Sequence, residues 1–165
     1  MVKCRSRNGF VLIVTCIVLT LLLGFAALGI DIGRMYVIKS ELQAFTDAAS
    51  LGAALELDGT DSGIARARIA PAHLASGPTA MKWDMGTRPI TEIVTTFAKL
   101  ETTPDPRSWQ AAPDSPGDYR LVRVVATAPA PLIFLRVFRP LGADFSTVAS
   151  SSVAIKTPEQ ARLFE

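Results

Sequence analysis

The chain has 165 residues, a formal net charge of +2 and hydrophobic residues at 49% of positions. Beyond the one long apolar run described below there is room for a single domain of roughly 110 to 130 residues, which excludes a two-domain enzyme. The 17 Lys and Arg residues are nearly balanced by 15 Asp and Glu and are scattered, which excludes an electrostatic nucleic-acid footprint.

Lys3, Arg5 and Arg7 are the one concentrated group of cations, and they stand directly before Phe10 to Ile30, twenty-one consecutive residues without a charge. A helix of that length is roughly 31 Å long, against a bilayer hydrocarbon core of about 30 Å. Fourteen of these residues are Leu, Ile, Val or Phe, each favouring insertion by roughly 0.3 to 0.6 kcal/mol. Hydrocarbon offers the backbone no water, so the segment is expected to be a transmembrane helix. With cations before it and Asp31 directly after it, the positive-inside rule predicts a cytoplasmic leader over 1–9 and everything after Ile30 outside.

Two processing sites compete with an intact span. Ala27-Leu28-Gly29 has the small residues of a signal-peptidase site, but the apolar run exceeds a secretory core of about 7 to 15 residues and the helical pattern continues past it. Arg7-Asn8-Gly9-Phe10 is similar to a type IV prepilin site, a basic leader ending in Gly9 before Phe10; where such pilins carry glutamate, this chain has Val14. Cys4 and Cys16 would lie roughly 18 Å apart on a helix, too far for a disulfide. Cys16 follows Thr15 inside a continuing run, unlike a lipoprotein site. The exported part has no cysteine and must stand on packing.

No proline occurs from Met1 to Ala70. Met35, Ile38, Leu42, Phe45, Ala49 and Gly52 follow helical spacing and place one apolar stripe along a continuation of the membrane helix over 31–57. Asp58-Gly59 supplies its stop signal. A helix from Phe10 to Leu57 would be a stalk of about 72 Å. The stripe turns small at Ala48, Ala49, Gly52, Ala53 and Ala54, and Ala26, Gly29 and Gly33 form a GxxxG face at the membrane exit. Such faces suit close helix contact, so Ala26, Gly29, Gly33, Ile38, Leu42, Phe45, Ala49 and Gly52 are candidate assembly residues, with incidental small residues the rival reading. Asp31, beside hydrocarbon, needs hydration or a partner. Arg34, one turn on, is the nearest candidate, and a contact with another subunit is the alternative.

Asp61 to Ala75 reads as a second helix capped by Asp61 and interrupted or ended around Pro71. Ser76-Gly77-Pro78 is a turn. From Met81 to Glu101 the β-branched and aromatic residues predict one or two strands. Thr103 to Asp118, with four prolines, is a loop. Tyr119 to Ala128 is the clearest strand, stopped by Pro129 and Pro131. Leu132 to Phe138 (LIFLRVF) reads as a helical turn packed on a sheet and closed by Pro140 and Gly142. Asp144 to Ile155 is a last strand, and a polar tail over 158–165 curls into a helix from Pro158. The fold class is therefore α+β: a long helix and a short one against an antiparallel sheet of three or four strands, with a small head over 58–157.

The residues offer no catalytic set. His73 stands alone, without cysteine or a second histidine near it, and reads as a surface or partly buried histidine rather than a metal ligand. Glu56, Asp58 and Asp61 lack the spacing of a calcium loop and read as turn and capping groups. Ser150, Ser151 and Ser152 have no nucleophile elbow and read as a polar strand face. No glycine-rich phosphate loop is present. Trp83 and Trp109 read as core or turn packing rather than as membrane-surface anchors.

Taken together, the basic leader before a glycine, the single span, the Gly29-Ile30-Asp31-Ile32-Gly33-Arg34 exit and the Leu42-Gln43 to Asp47-Ala48-Ala49 run resemble the amino-terminal module of the TadE/TadG-like proteins of tight-adherence (Tad, Flp) pilus systems. The later pattern, YRLVRVVATAPAPLIFLRVF then FSTVASSSVAI, is similar to the strand, apolar turn and strand that close many such proteins. The resemblance implies a pilin-like accessory protein in pilus assembly, single-pass in the bacterial inner membrane, with its head periplasmic or extracellular. It implies no enzymatic activity, cofactor or small-molecule substrate; its partners would be other Tad pilus subunits, the inner-membrane assembly platform and the lipid bilayer. The sequence holds no von Willebrand A segment with an Asp-x-Ser-x-Ser metal site, so no metal or adhesive ligand is carried over. The rival reading is a membrane-tethered binding module outside any pilus.

Overall fold

The computed structural model describes residues 8–100, 109–113, 115–138 and 145–157. The basic leader, most of the proline-rich loop, Pro140, Gly142, Asp144 and the tail lie outside the described residues. With no proline to interrupt it, α1 runs from Asn8 to Leu55, 48 residues or about 72 Å of unbroken helix. Its first part is bare: Leu12, Leu19, Leu22 and Phe25 all face outward. The hydroxyls of Thr15 and Thr20 donate to the carbonyls of Val11 and Cys16, four residues back, at 2.8 Å, so this stretch carries its polar atoms satisfied within itself. From Asp31 onward one face of α1 is buried, at Ile38, Leu42, Phe45, Ala49 and Ala53. The helix ends two residues before Leu57, where Gly59 at φ 84° turns the chain.

α2 spans Asp61–Ala75, and its cap is Thr60 rather than Asp61: Gly63 N–H donates to the Thr60 hydroxyl at 3.1 Å. Pro71 does not end it. The ring is fully buried, and that burial offsets the helical hydrogen bond that proline cannot donate.

The strands form two antiparallel units. β1 (Lys82–Trp83) and β2 (Arg88–Pro89) make a two-residue ribbon, turned by Asp84, Met85 and Gly86 at φ 58°, 57° and 76°. β3 (Glu92–Lys99), β4 (Tyr119–Pro131) and β5 (Phe145–Ile155) form a three-stranded meander in sequence order. β4 continues through Pro129 and Pro131, which the sequence reading had as its stop. Its last pairing with β3 is Glu92 with Thr127, whereas β5 accompanies it to Pro131. Beyond Thr127 β4 has no strand partner on the β3 side among the described residues, and edge positions tolerate residues without an N–H.

One face of the meander packs on α1. Its rows are Phe97-Val122-Ala154, Thr95-Val124-Ser152 and Ile93-Ala126-Ser150, continued by Ala128-Val148 and Ala130-Ser146. The middle of this face is Ala and Ser, and small side chains there let the helix lie close to the strands. α2 packs beside α1 and completes the core with Ile64, Ala67 and Ala75. The opposite face leaves Val94, Val153 and Ile155 exposed. It is covered in part where the Arg123 guanidinium lies 4.6 Å from the Trp109 ring centre. A 3-10 turn, Leu135–Phe138, follows β4 and lies against α1, not on the sheet as the sequence reading has it.

Candidate functional site

The eight candidate packing residues of α1 divide into two groups. Ile38, Leu42, Phe45 and Ala49 are within 2% of full burial, and the chain's own sheet and second helix cover them. Gly52 is half-buried at the margin of this group. Ala26, Gly29 and Gly33 face outward, and a Cβ built on Gly29 or Gly33 would meet nothing within 4 Å. The first group is the head's core; the second is a smooth bare strip along the helix.

Between the two groups lies Asp31, 2% exposed. Its carboxylate accepts the backbone N–H groups of Ile133, Phe134 and Leu135 at 3.1, 2.9 and 2.6 Å. It thus caps the 3-10 turn from outside, as an N-cap side chain does from within its own chain segment. Burial alone pushes its carboxyl up, but the N–H groups of Leu135, Ile133 and Phe134 and the nearby Arg34 charge together hold it below the ordinary carboxylate value. Arg34 is not its hydrogen-bond partner. That guanidinium reaches Asp84 instead, with Nη2 at 2.8 and 2.9 Å from the two carboxylate oxygens and Nε at 3.2 Å. Asp84 also takes Arg88 Nε at 3.3 Å. Glu41 accepts the Met85 N–H at 3.0 Å. Arg34 and Glu41, two turns apart on α1, therefore hold the ribbon turn by a charge pair and a backbone bond.

The remaining residues singled out in the sequence have structural places. Gly9 and Phe10 lie exposed in the first turn of α1, whereas Arg7 of the possible processing site lies outside the described residues. Glu56 and Asp58 pair with Arg66 at 2.9 and 2.6 Å. Asp58 also accepts from the Thr60 hydroxyl and N–H, and these donors together lower its pKa to about 2. His73 is exposed on α2. Ser150 turns inward, contrary to its reading as part of a polar strand face, and donates to the Gln43 side chain beside Thr46. Trp83 is buried with Nε1 donating to the Pro89 carbonyl at 2.8 Å. Among the described residues no group of His, Cys, Asp and Glu is arranged to hold a metal ion.

Sequence reasoning missed Asp84, Glu41 and the Gln43–Ser150 pair. The Asp84-Met85-Gly86 turn had a usable signal, since Asp and Gly near a short apolar strand mark a hairpin. The other partners lie more than forty residues apart in sequence, beyond any local spacing.

Among the described residues one apolar helix is long enough to cross a membrane, and with its far half built into a small α+β head it fits a single-pass anchor. Residues 9–56 match the family described as putative Flp pilus-assembly TadE/G-like. The matched segment is the long helix of this chain, and it ends one residue beyond Leu55. No curated protein and no solved structure matches the chain.

Proposed function

We propose that this protein is a non-enzymatic accessory subunit of a Tad/Flp pilus system, anchored in the inner membrane by residues 10–30 with its head on the far side from the cytoplasm. It acts by packing its membrane-exit helix against sibling pilus subunits or the assembly platform. The observation that carries the reading is the coincidence of the family match, 9–56, with α1. The basic leader and the absence of charge from Phe10 to Ile30 support the orientation. The packing surface falls to Ala26, Gly29 and Gly33, because Ile38, Leu42, Phe45 and Ala49 are occupied in the head's own core.

The double substitution Gly29→Leu and Gly33→Leu tests this in a pilus-forming host lacking its own copy. Both positions are open in the isolated chain, so the variant folds and inserts as before, and a lost phenotype reports a lost neighbour. Piliation is expected to fall sharply with unchanged membrane level and unchanged protease resistance of the head. Normal piliation would overturn the packing role and favour a head that is simply tethered.

A further inference from the structure

We propose that the turn after β4 is a second membrane contact: Ile133, Phe134 and Leu135 enter the leaflet that α1 crosses last, so the head is seated in the bilayer surface rather than held away from it. This rests on the anchoring reading above. Phe134 and Leu135 close the upper end of an apolar groove of about 500 Å³ whose wall is the span itself, at Leu21, Gly24, Phe25 and Leu28. Phe25 and Leu21 lie five and nine residues inside Ile30, roughly 7 and 14 Å of helix. Half a hydrocarbon core is about 15 Å. The groove therefore opens within one leaflet and is continuous with the bare face of the span.

Three features fit that setting. Ile133 and Phe134 are 50% and 43% exposed, side by side on a turn, where apolar area in water is unfavourable by about 25 cal/mol per Å². The backbone N–H groups of these residues, which would need water on an exposed turn, are satisfied by the Asp31 carboxylate. That internal satisfaction is what hydrocarbon demands of irregular backbone. The single polar side chain of the groove wall, Thr20, directs its hydroxyl to the Cys16 carbonyl. Above the turn, Tyr36 is 75% exposed, about 9 Å of helix beyond Ile30, at the level where aromatic rings meet lipid headgroups. Acyl chains are the occupant this continuity favours, since they already surround the rest of the groove's wall.

The test uses the full chain in phosphatidylcholine–phosphatidylglycerol vesicles, as three single-cysteine proteins carrying a nitroxide. Cys4→Ser retains Cys16 in the span. Cys4→Ser with Cys16→Ala and Phe134→Cys places the label on the turn, and the same background with Ser151→Cys places it on the exposed sheet face. Relaxation by oxygen, which partitions into lipid, is compared with relaxation by a water-soluble nickel chelate. The label at 134 is expected to resemble that at Cys16, relaxed several-fold more by oxygen than by nickel, with the label at 151 reversed. A label at 134 that behaves like 151 while Cys16 stays lipid-like overturns the proposal and leaves the anchor standing. Shielding at 134 from both reagents also overturns it, in favour of a neighbouring protein in the groove. A water-like Cys16 overturns the anchoring reading and this inference with it.

Discussion

Asp31 shows how a residue can be conspicuous in sequence and still keep its role hidden. A carboxylate directly after an apolar run was legible as a charge in need of a partner, and helical spacing pointed to Arg34. The actual donors are three backbone groups 102 to 104 positions away, which no local rule reaches. Replacing Asp31 with Leu leaves those N–H groups without an acceptor, and the head is expected to lose about 1–3 kcal/mol, read as a lower urea midpoint in detergent. The sign of its pH dependence follows from its lowered pKa. The contribution is whole above the unfolded carboxylate value of about 3.9 and fades as pH falls through the folded value. Asp58 behaves likewise, its share lost between about 3.9 and its folded value of about 2, though its exposure lets salt screen the effect. Urea midpoints should therefore hold between about pH 7 and 5 and fall by about pH 2.5, and Asp31→Asn with Asp58→Asn should flatten that fall. Gly63 is a steric case: a Cβ there would strike Asp58 Oδ1 and come within 2.9 Å of the Glu56 carbonyl. Gly63→Ala is expected to destabilise the head by about 1–3 kcal/mol.

The elements were read most successfully where periodicity is long. The stripe from Met35 to Gly52 gave α1 and its inward face, because α-helical spacing over six positions leaves little room for another reading. Phe45→Ala is expected to cost about 3–5 kcal/mol. Leu51→Ala, on the face that is 55% exposed, should stay within about 0.5 kcal/mol, and paired urea melts compare them directly. Proline misled at both of its sites. Sequence marks Pro129, Pro131 and Pro71 as breaks, but whether a missing N–H matters depends on whether a neighbour would have accepted it. At Pro129 and Pro131 β3 has already ended, and at Pro71 the ring itself is core. The serine run was misread for a related reason: strand alternation sends Ser150 inward and Ser151 outward, and the need for small residues under α1 is a property of the helix–sheet distance.

For the whole molecule, the α+β class, the uninterrupted rod and its packing on an antiparallel sheet were legible, while how far down the rod the head reaches was not. Sequence reading put the outer end of the stalk against the sheet; the contact extends down to Asp31, and α1 supplies Ile38, Leu42, Phe45, Ala49 and Ala53 to the common core. A fragment of residues 58–157 is therefore expected to remain unfolded, whereas 31–157 should give dispersed amide signals and a cooperative urea transition. Folding of the shorter fragment would show that α1 is dispensable to the lobe. Sequence left open which stripe residues serve the head's core and which a neighbour, because the same apolar stripe suits either.

The Asp31 attachment also sets an order of events during biogenesis. Its acceptor is translated roughly a hundred residues before its donors. At about 5–20 residues per second, the ribosome leaves the helix waiting for roughly 5 to 20 seconds with its stripe uncovered. Throughout that interval Leu42 and Phe45 of the nascent chain lack the sheet that covers them in the finished fold. Closure comes last, when the hairpin of β4 and β5 arrives and latches the turn down.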